Sequence, residues 1–118
     1  MDKYQIGKLG EKIALKFLIS HKFRPILTNF RVRGGEIDLI VKKSRETVFF
    51  EVKTRTFNGF GWPEESFTIT KQNRFKTAVF AYLAKHRVRN WRADLITVEL
   101  DLATKKAKLR HYFDVLGC

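Results

Sequence analysis

The hydrophobic and polar positions of this chain change period several times, and each change marks an element. Over residues 3–21, Ile6, Leu9, Ile13, Ala14, Phe17 and Leu18 recur at helical intervals. That spacing predicts an amphipathic helix packed on a sheet, with Lys3, Lys8, Lys12 and Lys16 largely on its other faces. Gly7 and Gly10 each weaken such a helix by up to about 1 kcal/mol relative to Ala, so close approach to another backbone or to a ligand is expected there. Residues 23–32 predict a short edge strand with Pro25 at its start, where the missing N–H does least harm. Gly34-Gly35 is a turn signal.

Strict alternation comes next. Ile37, Leu39 and Val41 fall on one face of a strand, and Val48, Phe50 and Val52 on one face of its successor. The opposite faces carry Glu36, Asp38 and Ile40 on the first strand, and Phe49, Glu51 and Lys53 on the second. Residues 54–66, with glycines and aromatics and no period, read as a loop; Phe57, Phe60 and Trp62 there either cover the core edge or stack on unpaired bases. Thr68 or Thr70 caps a second helix that runs to about His86, with Phe75, Ala78, Val79, Tyr82 and Leu83 on one stripe. A basic run over residues 85–92 ends it as a connector or a phosphate track. Strands over about 93–100 and 108–113 close the chain around a turn at Thr104-Lys105-Lys106. Helix, three strands, helix, two strands is a mixed α/β order.

Composition narrows the class. The chain has 118 residues, 44% of them hydrophobic with eleven Phe, enough for one compact domain over 1–118. Lys and Arg number 24 against 12 Asp and Glu, a formal charge of +12. That excess favours a polyanionic partner, nucleic acid first and an anionic membrane surface second. Neither a membrane-length apolar run nor a signal-peptide core is seen, so a cytoplasmic protein without a membrane partner is expected. Cys118 is the sole cysteine, which leaves no internal disulfide and no Cys-based zinc site. His21, His86 and His111 stand apart and are expected at the surface or at helix ends. Nucleophile motifs, phosphate-binding loops and dinucleotide fingerprints are absent.

The candidate chemistry lies in the central hairpin. A tight turn at Ser44 and Arg45 sets a register that opposes Asp38 to Glu51, with Lys53 on the same face. Like charges directly opposed are destabilising and ask for compensation. Mg²⁺, held by one or two carboxylates plus water and phosphate, would supply it; an exposed Glu–Lys ladder is the plainer alternative. Ile40 and Phe49 share that face, and a carboxylate beside apolar groups is costly unless paired or metal-bound. Glu11, the one acidic residue of the first helix, is either a partner for a nearby lysine or a third carboxylate aimed at the hairpin. Lys71, Gln72, Arg74 and Lys76 crowd the start of the second helix against its macrodipole, which phosphate binding would explain.

Asp38 on one strand, Glu51-Val52-Lys53 on the next and a following helix resemble the PD-(D/E)XK nuclease superfamily. More specifically, Gly35-Glu-Ile-Asp-Leu-Ile40, Glu51-Val-Lys-Thr-Arg55 and Lys71-Gln-Asn-Arg74 together resemble the YraN-like family of small bacterial proteins, over nearly the whole chain. The resemblance implies a restriction-endonuclease-like αβββαβ core, a central mixed sheet flanked by helices. It also implies that Asp38 and Glu51 are metal ligands and Lys53 a catalytic lysine, with Glu11 matching the helix-one glutamate of the Holliday-junction-resolvase-like branch. Two positions depart from superfamily patterns: Ile37 replaces the motif's proline, and Gln72 lacks the following tyrosine of RecB-like nucleases. The expectation is a metal-dependent DNA endonuclease acting on branched or structured DNA with Mg²⁺ or Mn²⁺. Asp38, Glu51, Lys53 and Glu11 would form its centre, Arg55, Lys71, Gln72 and Arg74 would contact DNA, and a homodimer is allowed for. The alternative is a catalytically inactive nucleic-acid-binding module on the same fold; docking on another protein or on ribosomal RNA is a third.

Overall fold

The computed structural model describes residues 1–57 and 67–117. Helix α1 (Lys3–Ser20) starts at a capping box in which Asp2 accepts from the Gln5 N–H and Gln5 accepts in return from the Asp2 N–H. It ends where Lys22 turns left-handed (φ 74°) and Phe23 N–H reaches the Leu18 carbonyl at 3.0 Å, closing the last carbonyls before the sheet begins. Strands β1 (Arg24–Val32), β2 (Gly35–Lys43) and β3 (Glu46–Phe57) come after it, then α2 (Ile69–Lys85), β4 (Asn90–Asp101) and β5 (Lys106–Tyr112). Thr68 caps α2 by accepting from Lys71 N–H.

The strands lie in chain order in one sheet, antiparallel except for the β3–β4 pair, which α2 connects in parallel. β1 is an edge strand, as its proline requires. The two helices cover opposite faces. Ala14 and Leu18 of α1 pack on Val48, Phe50 and Val52 of β3 and on Ile96 and Val98 of β4. Phe75, Ala78 and Val79 of α2 pack on Ile40, Phe49 and Ala93. Phe49 and Phe50 are both fully buried, on opposite faces of one strand. Losing either ring to Ala would cost about 3–5 kcal/mol, so β3 is fixed from both sides. This is a mixed α/β sheet flanked by helices, consistent with a restriction-endonuclease-like core.

The structure departs from the sequence expectation in three places. Ile37, expected on the face of Leu39 and Val41, packs with Ile40 and Phe49 on the α2 side. The β2–β3 ladder ends at the Leu39–Phe50 pair, and beyond it the Asp38 side chain takes the Val52 N–H, so the alternation slips at Asp38. Residues 54–57, expected in a loop, extend β3 because β4 offers parallel partners from Val98 to Asp101. Phe57 remains exposed there; Phe60 and Trp62 lie outside the described residues. Finally, β4 begins at Asn90, inside the basic run read as a connector or a phosphate track, where Arg92 is bound by Glu46 and Asp94.

Two glycines mark close approach. A Cβ on Gly10 would overlap the Thr54 side chain, which lets α1 lie directly on β3; one on Gly35 would overlap the Arg74 carbonyl and crowd the Ala78 N–H of α2. No helix among the described residues is long and apolar enough to cross a membrane.

Candidate active site

The site forms where β2 and β3 part. Val52 N–H, left without a ladder carbonyl, donates to Asp38 Oδ2 at 2.7 Å. The carboxylate therefore stands in for backbone and its orientation is fixed. Glu51 is the residue of β3 next to that bond, and its carboxyl is close enough to that of Asp38 for the two to interact electrostatically. Asp38 is 7% exposed.

Burial dominates the electrostatics of the pair. It pushes Asp38 up to about 6, against the opposing pull of the Val52 N–H and with the added repulsion of Glu11. It pushes Glu51 up to about 9, helped by the charge and hydrogen bond of Asp38 and resisted by Lys53. Burial and mutual repulsion thus both favour keeping a proton on the pair.

Two cavities lie beside Lys53 and Lys71, and Glu51 opens into the smaller of them. One, of about 330 Å³, lies between β3 and the start of α2 and is lined by Glu36, Glu51, Lys53, Lys71 and Arg74. The other, of about 570 Å³, lies between α1 and β3 and is lined by Glu11, Lys53, Arg55 and Lys71. Lys53 and Lys71 border both. The structure therefore brings Glu11, Asp38, Glu51, Lys53, Arg55, Lys71 and Arg74 into one neighbourhood. Gln72 is directed elsewhere: its amide donates to the Phe67 carbonyl at 2.9 Å, within the cap of its own helix.

Two residues that sequence reasoning passed over shape the site. Asn29 of β1 donates to Glu11 Oε1 at 3.0 Å, while Lys8 approaches the same oxygen at 3.4 Å. Glu11 is thus both a lysine's partner and a charge felt by Asp38. Glu36 adds negative potential to the pair while bound to Arg31 at 3.3 Å. Nothing local in the sequence links Asn29 to Glu11; Glu36 was visible only as an acid on the same strand as Asp38.

No group of three or more His, Cys, Asp or Glu side chains converges on a metal-holding geometry among the described residues. The donor set is the Asp38–Glu51 pair. Their two hard oxygen donors, one buried and one half-buried, suit a Mg²⁺- or Mn²⁺-like ion that brings water and phosphate as its remaining ligands.

A sequence model of the uncharacterised protein family UPF0102 matches residues 10–98, a span that holds Glu11, the acidic pair, Lys53, Arg55, Lys71 and Arg74. The chain belongs to UPF0102. Curated UPF0102 proteins resemble it over most of their length. One from Caldicellulosiruptor bescii is 39% identical over 104 residues, 86% of this chain and 87% of that protein. One from Dictyoglomus turgidum is 42% identical over 89 residues, 75% of each. One from Geobacter metallireducens is 33% identical, covering 90% of this chain and 87% of that protein. UPF0102 is the family to which the three sequence blocks pointed.

One polar cluster in this UPF0102 chain went unforeseen. Asp94 is fully buried in β4, where it accepts from Arg92 Nε at 2.8 Å, from His111 Nε2 at 2.7 Å and from the Asp114 N–H at 2.9 Å. Burial works against its ionisation, but those donors outweigh it and hold the carboxyl below the usual range. Arg92 also binds Glu46 at 2.9 Å. The signal was a lone acid in the apolar run Ala93-Asp-Leu-Ile96; its partner His111, expected at the surface, lay too far along the chain to be found.

Proposed function

We propose that this UPF0102 protein is a metal-dependent endonuclease that hydrolyses phosphodiester bonds of DNA, branched or otherwise structured. The observation that supports it most is the Asp38–Glu51 carboxylate pair, buried at Asp38 and half-buried at Glu51, beside a cavity bordered by Lys53, Lys71 and Arg74. A surface that is basic overall has no use for two acids there unless a cation joins them.

Asp38 and Glu51 would hold Mg²⁺ or Mn²⁺, which when bound would polarise the scissile phosphate and lower the pKa of an attacking water. Asp38 is pre-aimed by the Val52 N–H, so little reorganisation is needed on loading. Lys53, on the strand of Glu51 and open to both cavities, would orient the water or offset charge building on the phosphate. Lys71 and Arg74 on the first turns of α2 would bind the phosphates of the strand, beside helix N–H groups that favour anions. Glu11, held by Asn29 and Lys8, would act on the far side of Asp38 through a water.

The test is nicking of branched and linear DNA with Mg²⁺ or Mn²⁺. Asp38→Asn, Glu51→Gln and Lys53→Ala should each lower the cleavage rate by at least about 10²-fold. Undiminished cleavage by Asp38→Asn would point to a contaminant. No cleavage of any substrate by the wild type would replace the nuclease with a nucleic-acid-binding module on this fold.

A further inference from the structure

A separate cavity of about 910 Å³ lies away from the carboxylate pair. It opens at the other end of β3, where the Ser44-Arg45 turn, the end of α1 and β5 meet. Glu46 in its wall is about 17 Å along the strand from Glu51. Its volume falls in the range of sites that enclose small organic ligands, roughly 300–1,000 Å³.

Aromatic rings line it in two close pairs, one tilted and one stacked. Phe17 and His21, one helical turn apart, have ring centroids 4.2 Å apart. On β5 and just beyond, His111 stacks on Phe113 at 3.9 Å. Buried Phe50 links the two sides from beneath, 5.1 Å from His111 and 6.3 Å from Phe23. These rings are held, not loose. His111 is anchored on Asp94, and the Arg92 guanidinium, fixed by Asp94 and Glu46, lies 5.0 Å from the Phe113 centroid. Yet Phe113 is 62% exposed. A rigidly supported ring open to solvent is a ready surface for stacking.

The charge at the rim is one-sided. The carboxylates in or behind the wall, Glu46 and Asp94, are both taken by Arg92, and Asp94 by His111 as well. Lys43, Arg45 and Arg89 also line the cavity, all three exposed, and none forms an ion pair with a described residue. A neutral aromatic ligand would leave those cations unused, and a sugar phosphate or inorganic anion would leave the rings unused. A planar base joined to a phosphate uses both, since a base stacks on aromatic side chains and a phosphate is matched by arginine.

We propose that this cavity binds a nucleotide unit, its base stacked on the Phe17–His21 and His111–Phe113 rings and its phosphate on Lys43, Arg45 and Arg89. The site is distinct from the acidic pair and does not depend on the nuclease proposal. The nucleotide is either free in solution or an unstacked member of a single strand.

The three histidines provide the readout. His21 and His111 line the cavity, whereas His86 stacks on Tyr82 at the end of α2. Proton NMR of the full chain in EDTA would track their imidazole signals during titration with AMP, adenosine, inorganic phosphate and a tetrathymidylate. AMP should shift His21 and His111 and leave His86 in place, with adenosine and phosphate each binding at least about tenfold more weakly, a loss of one of the two contacts. Phe113→Ala and Arg45→Ala, both at exposed positions, should each weaken AMP about tenfold. Tetrathymidylate binding as tightly as AMP assigns the nucleotide to a strand, and binding of AMP without tetrathymidylate assigns it to the free pool. The proposal is overturned if millimolar AMP and tetrathymidylate leave His21 and His111 unmoved, if His86 moves equally, if phosphate binds as tightly as AMP, or if Phe113→Ala binds as the wild type does.

Discussion

Asp38 makes a bond that a strand would ordinarily make with its backbone, and this explains how two acids survive side by side. Its carboxylate is needed where the β2–β3 ladder opens, so the repulsion with Glu51 is tolerated by retaining a proton. Stability then depends on pH in a definite direction. Unfolded carboxyls release protons near pH 4, while the folded pair retains them up to about 6 and about 9. The pair's contribution is therefore fully present below pH 4 and is lost as pH rises through those folded values. In EDTA, Glu51→Gln should be more stable than the wild type at pH 9 by about 1–4 kcal/mol, because it removes a half-buried charge that Asp38 repels, and should differ much less at pH 5. Urea unfolding at the two pH values measures this; a gap that does not change with pH would refute the assignment. Added Mg²⁺ at pH 8 should raise the melting temperature of the wild type and not that of Glu51→Gln. The pairing itself was legible in the sequence, because the Ser44-Arg45 turn fixes which residues meet. The Val52 bond was not, since a strand that slips at one residue looks regular in its alternation, and the link from Asn29 to Glu11 joins elements that only packing brings together.

At the scale of elements, the helices were legible from their stripes and caps, and the strands from alternation, because each pattern is local. Boundaries failed where a partner strand decides them. Thr54-Arg-Thr-Phe57 has no apolar period, and it is strand because Val98 to Asp101 of β4 lie alongside. The helix glycines make the same point. Both Gly7 and Gly10 signalled close approach, but among the described residues only Gly10 meets a neighbour: a Cβ there would collide with Thr54, while one on Gly7 would find none of their atoms within 4 Å. Gly10→Ala should accordingly destabilise the protein by about 1–3 kcal/mol through overpacking against β3. Gly7→Ala should stabilise it by about 0.5–1 kcal/mol by lowering the entropy lost on helix formation. Denaturant midpoints of the two variants give the comparison, and equal shifts of one sign would show that α1 does not lie on β3 as described.

Over the whole molecule the net charge of +12 was plain from composition, but composition is silent on where the charge acts. The fold divides part of it between two ends of β3: Lys53, Arg55, Lys71 and Arg74 around the acidic pair, and Lys43, Arg45 and Arg89 around the aromatic cavity. The two groups should behave differently toward duplex DNA. Each phosphate neutralised releases counterions, so the logarithm of affinity falls against the logarithm of salt concentration with a slope of about 0.9 per contact. Neither helix carries an acid in its first turn, and at α2 the basic side chains stand at the positive end of the helix, an arrangement that suits a phosphate backbone. If the duplex lies across the cavities at Lys53, the double change Lys71→Ala with Arg74→Ala should weaken binding and reduce the slope by about 1.8. Changing Arg45 and Arg89 together should leave the duplex slope as it was, because those cations face an aromatic cavity shaped for an unstacked unit. Asp38→Asn without metal should bind DNA as tightly as the wild type or more so, since a charge that repels phosphate is removed. Fluorescence anisotropy over a salt series in EDTA resolves all three. A slope reduced by the Arg45 and Arg89 changes and untouched by those on α2 would place the duplex at the other end of β3, and the acidic pair would then lose its claim to the scissile phosphate.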